Sequence, residues 1–515
     1  MYCGDEVSAI VGDIGYSNAR FGFAGEDVPK ALFPGQVGRI LTDGNPSSWA
    51  LSDPELAKLR PGLAMTHAVG AVDGAIADWD AVERLWARAF QWLNVSVPNL
   101  DKQKTNKKAR EGGSESQTVK EEEGGGAGDD DDDSANYHSA HAGGHSVLCG
   151  EGAGASRHQR MKTMELLFET FESPALFLAP NPVLAAFAAG RQTALVVDCG
   201  GGGTSVTPVL DGYALRKPIQ RSARGGQWIS NEVLRLLESS VLHRSVHPRQ
   251  EVLSRARGAA SAASEVVGAS GGVVGGVGGV KRSADGSSVV VDATAAEAAA
   301  VYLPFPATTH QSFVNRCRLE VATTVKEDMC GLPLVPGMSD AGLAPYLPVG
   351  GMPTSCELPD GTAVSLSPEL FRVPELLFQD SRKEGGHDAD SPNGATLACT
   401  PSSPPHAALH KMVHACLTAC DPDLRKELAS TILLTGAGSQ FKYFPERLQR
   451  EVASTLPAAN FKAKVVCPEP IERRFGVWIG GSILASLGSF QQMWLTKAQY
   501  EDLGAVRAEK RFSES

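Results

Sequence analysis

The sequence lacks an excess of positive charge: 59 Asp and Glu residues outnumber 48 Lys and Arg residues, and the net charge is −11. A surface with this balance does not attract nucleic acid over its whole area. We expect no sequence-specific DNA binding, although a local basic patch remains an open alternative.

Long hydrophobic runs are also missing, and none reaches the length of a membrane span. Residues 1–7 are polar and acidic, which is not the pattern of a signal peptide. We therefore expect neither a membrane partner nor a secretory leader.

A cysteine framework is absent as well. The ten Cys residues have no regular spacing, and Cys416 and Cys420 are too far apart for a CxxC zinc knuckle. We expect reduced thiols, as in cytosolic or nuclear proteins. With 515 residues, 42% of them hydrophobic, the chain is long enough for two domains with separate cores.

The most informative stretch runs from Leu195 to Ser205. An apolar, β-branched run ends in Asp198, and four glycines and Thr204 follow it. The run predicts a buried strand. The glycines let backbone N–H groups approach a phosphate closely, and Asp198 could hold a hydrated Mg²⁺ beside it. An ordinary tight turn is the alternative that this stretch alone leaves open.

A second copy of this plan lies near the N-terminus, in residues 9–25. There an apolar run reaches Asp13, a glycine and small polar residues follow, and an alternating strand comes next. Two such hairpins suggest two similar domains that hold one triphosphate between them.

The C-terminal stretch from Glu472 to Trp494 resembles the actin signature almost residue for residue. Residues 23–30, 168–171, 211–215 and 357–361 also resemble actin segments, in the same order. The resemblance implies the α/β fold of actin, Hsp70 and sugar kinases, in which two similar domains surround a nucleotide cleft. It places a small domain at 1–190 plus 476–515 and a large domain at 191–475.

Insertions interrupt the resemblance at about 100–144, 240–312, 331–352 and 380–407. The first holds a basic cluster from Lys102 to Arg110 and the acidic runs Glu121–Glu123 and Asp129–Asp133. Its composition predicts disorder. The basic cluster is either a nuclear import signal or a solvated linker, and the acidic runs could contact histones. The Gly-rich tract Gly268–Gly279 predicts a flexible loop.

The resemblance also implies the nucleotide site, with ATP and Mg²⁺ as the bound cofactors. Arg20 stands where a lysine normally reaches the phosphates, Lys326 and Glu327 face the adenine and ribose, and Ala437 replaces a glycine. Asp13 and Asp198 are the implied metal ligands, acting through water. The implied nucleotide-binding positions are Asp13, Gly15, Tyr16, Ser17, Arg20, Asp198, Gly200, Gly201, Gly202, Gly203, Thr204, Lys326, Glu327, Gly436, Ala437, Gly438, Phe441 and Arg474.

Three positions depart from the hydrolytic pattern of actin. Asn181 stands in place of a glutamine that orients the attacking water, Gly201 in place of an aspartate, and Ser205 in place of a histidine. A shift on the order of 1 Å in a water-positioning group can cost about 10²-fold in rate. We therefore expect ATP binding with little or no hydrolysis, and no catalytic residue is assigned.

The leader from Gly4 to Val11, the run Phe444–Leu448 and the motif Glu472–Phe475 resemble the nuclear actin-related proteins of chromatin-remodelling and histone acetyltransferase complexes. The implied function is a non-polymerising structural subunit in the nucleus, which pairs with monomeric actin on a helical scaffold segment. Apolar anchors for that helix are expected around Phe171, Ile483 and Leu487, although each could simply be a core residue.

A cytoskeletal, filament-forming ATPase is the main alternative. The outer segment at 41–70 is shorter than in actin and lacks its hydrophobic tip, which argues against polymerisation. An Hsp70-like or sugar-kinase enzyme fits poorly, because the chain offers neither a peptide-binding domain nor a base placed for a sugar hydroxyl.

Overall fold

A computed structural model describes residues 8–42, 45–71, 74–95, 144–255, 300–333, 354–380, 407–456 and 462–513. The charged runs between Lys102 and Asp133 and the tract Gly268–Gly279 lie outside the described residues, as do most of the two later insertions. Their expected roles stay predictions.

The strands follow one another along the chain in this order: β1 (Ile10–Ile14), β2 (Asn18–Phe23), β3 (Ala31–Pro34), β4 (Gln36–Thr42), β5 (Asn45–Ala50), β6 (Leu63–His67), β7 (Val147–Glu151), β8 (Ala175–Pro180), β9 (Ala194–Cys199), β10 (Thr204–Leu210), β11 (Tyr213–Ala214), β12 (Gln220–Ser222), β13 (Val252–Ser254), β14 (Val301–Tyr302), β15 (Ser355–Glu357), β16 (Ala363–Ser365), β17 (Ile432–Thr435), β18 (Val465–Val466) and β19 (Leu495–Thr496).

The α-helices are α1 (Asp53–Ala57), α2 (Trp79–Trp92), α3 (Arg157–Glu165), α4 (Asn181–Ala188), α5 (Gly226–Leu236), α6 (Gln311–Met329), α7 (Pro368–Phe371), α8 (Leu409–Ala419), α9 (Pro422–Ser430), α10 (Phe444–Thr455), α11 (Pro470–Ser486), α12 (Lys497–Leu503), α13 (Ala505–Ala508) and α14 (Lys510–Ser513).

The first sheet has the strand order β19-β8-β7-β1-β2-β3. Strand β1 pairs antiparallel with β2 and parallel with β7, so the N-terminal hairpin forms as the sequence predicts. Its core is aromatic: the Phe21 and Trp86 rings lie 4.8 Å apart, and Phe90 and Phe171 are 5.2 Å apart. These buried rings fix the sheet against α2.

The second sheet repeats the plan with the path β11-β10-β9-β17-β18. The hairpin of β9 and β10 sets Asp198 opposite Ser205, and the parallel pairing of β17 sets Thr435 beside Asp198. A separate apolar core, which includes Ile229 and Phe444, lies under this sheet. The predicted α/β fold is confirmed, whereas the domain boundaries stay a prediction.

Helix α11 packs against α4 and reaches both sheets. Their backbones meet at Gly480, where an added Cβ would lie 1.8 Å from the Leu184 carbonyl oxygen, so only glycine permits this approach. Trp478 is fully buried, and its Nε1 donates to the Val11 carbonyl oxygen at 3.1 Å. The residues of the actin-like motif thus pack α11 against α4 and the first sheet.

A small outer sheet, with the order β5-β4-β6, continues from β3 through Gly35. It corresponds to the short segment at 41–70. Within the described ranges, no helix combines the length and the apolar character that a membrane crossing requires.

A buried ion-pair network holds the C-terminal helices. Arg160 on α3 donates to Glu151 at 2.8 Å and to Glu509 at 2.9 Å, and the three side chains are almost fully buried. Arg157, which is half exposed, lies 3.5 Å from the same Glu509. The buried guanidinium of Arg160 thus balances the negative charge of two carboxylates that come from distant parts of the chain.

Replacement of Arg160 by Ala should lower the free energy of unfolding by about 3–5 kcal/mol, because it leaves Glu151 buried without its cation and Glu509 with only the half-exposed Arg157. Replacement of the exposed Arg157 by Ala is the matched control and should cost about 0–1 kcal/mol. Urea unfolding followed by circular dichroism measures both. Equal losses in the two variants would contradict the central role of Arg160.

Candidate functional site

A cleft of about 840 Å³ lies between the two main sheets. All eighteen residues that the sequence predicts to bind nucleotide line this cleft, as do Asn181 and Ser205. The structure therefore brings together residues that span more than 450 positions of the chain. Their roles in binding remain predictions.

Asp13 lies at the end of β1, directly across the ladder from Arg20 on β2. The Arg20 Nη1 donates to Asp13 Oδ2 at 2.6 Å. The same guanidinium lies 5.7 Å from the Phe475 ring. Arg20 thus enters the cleft as predicted, but part of its charge neutralises Asp13 instead of reaching freely toward a phosphate.

Asp198 lies at the end of β9, where it is half-buried and lines the cleft. Burial raises the pKa of Asp198 to about 6, the negative charge of Asp13 adds to the rise, and Arg20 partly offsets it. A carboxyl group that lies beside a second negative charge, as Asp198 does, favours a bound cation.

Among the residues that the structure describes, no three His, Cys, Asp or Glu side chains come together to form a metal site on their own. Asp13 and Asp198 supply two carboxylates. This donor set fits a hydrated Mg²⁺, which keeps several waters and takes its other ligands from phosphate oxygens.

The glycine loop after β9 packs directly on the first hairpin. A Cβ on Gly202 would lie 2.8 Å from the Tyr16 ring and from the Ala71 backbone, and one on Gly203 would lie 2.5 Å from the Ser222 carbonyl oxygen. A Cβ on Gly200 would meet only a carbonyl oxygen, at 3.2 Å. Gly202 and Gly203 are therefore required by close approach of backbone, whereas Gly200 is not.

Position 201 faces Ser17. A Cβ on Gly201 would lie 1.8 Å from the Ser17 Oγ, so the aspartate expected there from actin would need the serine side chain to turn away. Asn181 begins α4, and its Oδ1 is buried with no hydrogen-bond partner within the described residues. A buried acceptor of this kind needs a donor, which a bound water or ligand can supply.

The third glycine loop follows β17. Gly436 has φ +87°, and a Cβ on it would lie 2.4 Å from the Cys199 carbonyl oxygen, so glycine is obligatory there. Ala437 starts a 3₁₀ turn that ends at Ser439. The extra methyl of Ala437 is accommodated by this turn at the edge of the cleft.

Lys326 on α6 is buried, and its Nζ donates to Ser230 Oγ at 3.0 Å and to the Gly226 carbonyl oxygen at 3.3 Å. Burial lowers the pKa of this ammonium group. Glu327 and Arg474 are exposed at the cleft, and the Arg474 guanidinium lies 5.4 Å from the Phe475 ring.

Sequence reasoning missed Arg473. Its side chain is 9% exposed, and its Nη1 donates to the Ser439 carbonyl oxygen at 2.8 Å. Its own carbonyl oxygen accepts from the Gly436 N–H at 3.0 Å. Arg473, at the start of α11, therefore holds the third glycine loop in place. The expectation that Arg474 binds nucleotide rested on the family motif alone.

His67 was also missed. Its ring stacks on Tyr16 with centroids 4.0 Å apart, and its Nδ1 lies 3.2 Å from the Tyr16 carbonyl oxygen. Burial lowers the pKa of His67, so the ring is neutral near pH 7 and Nδ1 donates this bond. No local pattern marks His67, because the contact depends on the outer sheet folding back over the hairpin.

Of the two alternatives for Phe171, a docking anchor or a core residue, the structure supports the core residue. Phe171 is 1% exposed and belongs to the core beneath the first sheet. Ile483 and Leu487 are each 40% exposed, one helical turn apart at the end of α11, and remain available at the surface.

Comparison with known proteins agrees with this architecture. A family model described as actin matches residues 4–513. The chain belongs to the actin family. It is 32% identical to actin-related protein 4 of Oryza sativa subsp. indica, over 99% of this chain and all of that protein.

Two further relatives with the same name extend the similarity. The protein of Arabidopsis thaliana is 31% identical over 99% of this chain and all of its own length. The protein of Neurospora crassa is 31% identical over 99% of this chain and 96% of its own length. The resemblance to the actin family, drawn first from short motifs, is thereby confirmed across the whole chain.

The raised pKa of Asp198 in this actin-family cleft predicts a pH-dependent cost. A carboxyl group whose pKa rises on folding stabilises the fold only while it is protonated, so its contribution is lost as pH rises from 3.8 toward 6. Without nucleotide or divalent metal, the Asp198→Asn variant should therefore have a higher free energy of unfolding than the parent. We expect this difference to be about 1 kcal/mol larger at pH 7 than at pH 5. Thermal unfolding in EDTA measures this difference.

Asp502→Asn, on the exposed helix α12, is the control, and its stability difference from the parent should not change between the two pH values. A pH-independent effect of Asp198→Asn would show that the carboxyl group at 198 is already ionised at pH 5.

Proposed function

We propose that this chain is a non-polymerising, ATP-binding structural subunit of nuclear chromatin-remodelling or histone acetyltransferase complexes. The observation that carries the proposal is the cleft, in which the predicted phosphate-binding loops lie beside Asn181, Gly201 and Ser205 at the positions where actin has the groups that direct the attacking water. The proposed partners are monomeric actin and a helical scaffold segment, with histones as a further partner of the acidic insertion.

Several features support nucleotide binding. The glycine loops at 200–203 and 436–438 bring backbone to the cleft surface, and Lys326, Arg20 and Arg474 supply positive charge. A bound magnesium nucleotide supplies a cation that relieves the repulsion between Asp13 and Asp198. The residues present fit this ligand, and its proposed role is to tie the two halves together.

Weak hydrolysis is supported by the three departures from actin. Gly201 and Ser205 carry no carboxylate or imidazole, and Asn181 is one methylene shorter than glutamine. A base or water-orienting group must lie within hydrogen-bond reach of the attacking water. Without these groups, nucleotide serves as a structural ligand.

The assignment to a nuclear complex is supported by the motifs Glu472–Phe475 and Phe444–Leu448, and by relatives named actin-related protein 4. A groove of about 460 Å³ between α4 and α11 offers a docking place, and its lining includes the apolar Ala185, Ile479 and Ile483 and the acidic Glu26 and Glu472. An amphipathic helix with a basic flank fits this surface.

Binding and turnover can be separated with purified protein. Isothermal titration calorimetry should detect Mg-ATP binding, while phosphate release should be about 10²-fold or more slower than that of a competent actin. Gly202→Ala should weaken ATP binding at least about tenfold, because its Cβ meets fixed backbone, whereas Gly200→Ala should have a smaller effect.

Steady phosphate release at the rate of a competent actin would overturn the structural assignment. Equal ATP affinity in the Gly202→Ala variant and the parent protein would show that the glycine loop does not contact the nucleotide.

Docking can be tested by affinity purification from nuclear extract. Replacement of both Ile483 and Leu487 by Asp should reduce recovery of actin and the scaffold subunit more than about tenfold, because exposed apolar anchors are removed. Leu503 and Val506, which are 39% and 52% exposed and lie on other helices, are replaced by Asp in the matched control. Loss of partners in both double variants would contradict a specific role for the α11 surface.

The cytoskeletal alternative makes an opposite prediction for the same preparations. A filament-forming ATPase would pellet on centrifugation with Mg-ATP, and cytoskeletal proteins would co-purify with it. The structural subunit stays in the supernatant under these conditions.

A further inference from the structure

The ring of Tyr16 lies in the gap between the two hairpin loops of the cleft. Tyr16 belongs to the turn between β1 and β2, and it lines the cleft. A Cβ placed on Gly202, in the loop after β9, would lie 2.8 Å from Cγ of this ring. The next residue, Ser17, faces Gly201 in the same way. A bulky aromatic side chain therefore stands where the two predicted phosphate loops face each other.

The contacts of Tyr16 with the outer sheet fix its position. Its ring stacks on His67 with centroids 4.0 Å apart and an interplanar angle of 11°. The His67 Nδ1 lies 3.2 Å from the Tyr16 carbonyl oxygen, which a Cβ on Gly35 would approach to 2.5 Å. Backbone and side chain are thus both held, and the ring cannot turn away without loss of the stack.

The glycine loop after β9 has two ends with different neighbours. At its start, the Gly200 carbonyl oxygen accepts from the Gly226 N–H at 3.0 Å, and the Gly226 carbonyl oxygen accepts from Lys326 Nζ at 3.3 Å. Lys326 is the residue that the resemblance to actin places at the adenine and ribose. At its far end, Gly202 packs on Tyr16. A nucleotide with its base beside Lys326 therefore directs its outermost phosphate toward Tyr16.

We propose that Tyr16 makes the cleft selective for a nucleoside diphosphate. The diphosphate binds with the stack of Tyr16 on His67 intact, whereas a triphosphate binds only after the Tyr16 ring has turned away. This inference rests on the proposed nucleotide binding and states which form is bound more tightly.

The size of the preference follows from the stack. Separation of the two rings costs free energy in the triphosphate complex alone, so it lowers the affinity for the triphosphate and not for the diphosphate. An aromatic pair contributes enough to change an equilibrium constant by about tenfold, so MgADP should bind about tenfold more tightly than MgATP.

Isothermal titration calorimetry with MgADP and with MgATP measures this preference as the ratio of the two dissociation constants. Tyr16→Ser removes the ring and should bring the ratio close to one, mainly because MgATP binds more tightly. Tyr16→Phe keeps the ring and should retain the preference for MgADP. Tyr213→Ser, at a position that is 53% exposed on β11, is the matched control and should give the ratio of the parent.

Each result of the titrations decides one of the two proposals. Equal binding of MgADP and MgATP by the parent would overturn the selectivity and leave the proposed nucleotide binding intact. An unchanged preference in Tyr16→Ser, with thermal unfolding showing a folded protein, would also overturn it. Binding of neither nucleotide by the parent would refute the proposed function itself.

Proton NMR follows the ring in the parent protein and needs no variant at position 16. The ring current of a stacked tyrosine shifts the signals of the His67 ring protons, which are assigned by their loss in His67→Gln. Once calorimetry has shown binding, these signals should move on addition of MgATP and stay nearly unchanged with MgADP. The same response to both nucleotides would contradict the displacement of Tyr16.

Discussion

Close packing of the glycine loop after β9 against Tyr16 and against the backbone of Ala71 and Ser222 is the constraint on which the rest of this structure depends. Gly202 and Gly203 admit no side chain, because Tyr16, Ala71 and Ser222 already occupy the space. The two sheets can meet only if these positions are glycine. Everything that lines the cleft, from Asp13 to Arg473, is placed by this meeting of loops from opposite halves.

Charge is distributed around that contact in an unbalanced way. Asp13 is buried and has a direct partner in Arg20, whereas Asp198 is half-buried at the cleft and has a raised pKa. The two acids therefore differ in how strongly they favour a cation. A protein that keeps such an arrangement is less stable without its ligand than it would be with a neutral group at 198, which is typical of a binding site.

Local pattern was sufficient to predict some of this. Asp13 and Asp198 each end an apolar run before glycines, and each lies on the first strand of its own hairpin, in a separate sheet, so their local place follows from the sequence. The roles of His67 and Arg473 could not be foreseen in the same way, since each depends on a loop distant in sequence.

The same limit explains why the sequence left Phe171 open between a docking anchor and a core residue, and why it did not predict the apolar contact between the outer sheet and α6. An apolar residue near a helix end is equally compatible with core and surface, and only the packing of Phe90 decides the matter. Likewise, Leu63 and Phe313 meet across 250 positions, and neither belongs to a motif. Tertiary contact is where sequence patterns stop being informative.

Helix α11 has 17 residues and is about 25 Å long. Its first turn holds Arg473 against the third glycine loop, and its last turn exposes Ile483 at the surface. The helix thus has its first turn at the cleft and its last turn at the protein surface. By thermodynamic linkage, a ligand in the cleft that favours one position of α11 changes the affinity for a protein that binds at the last turn. That protein changes the affinity of the cleft for its ligand by the same factor.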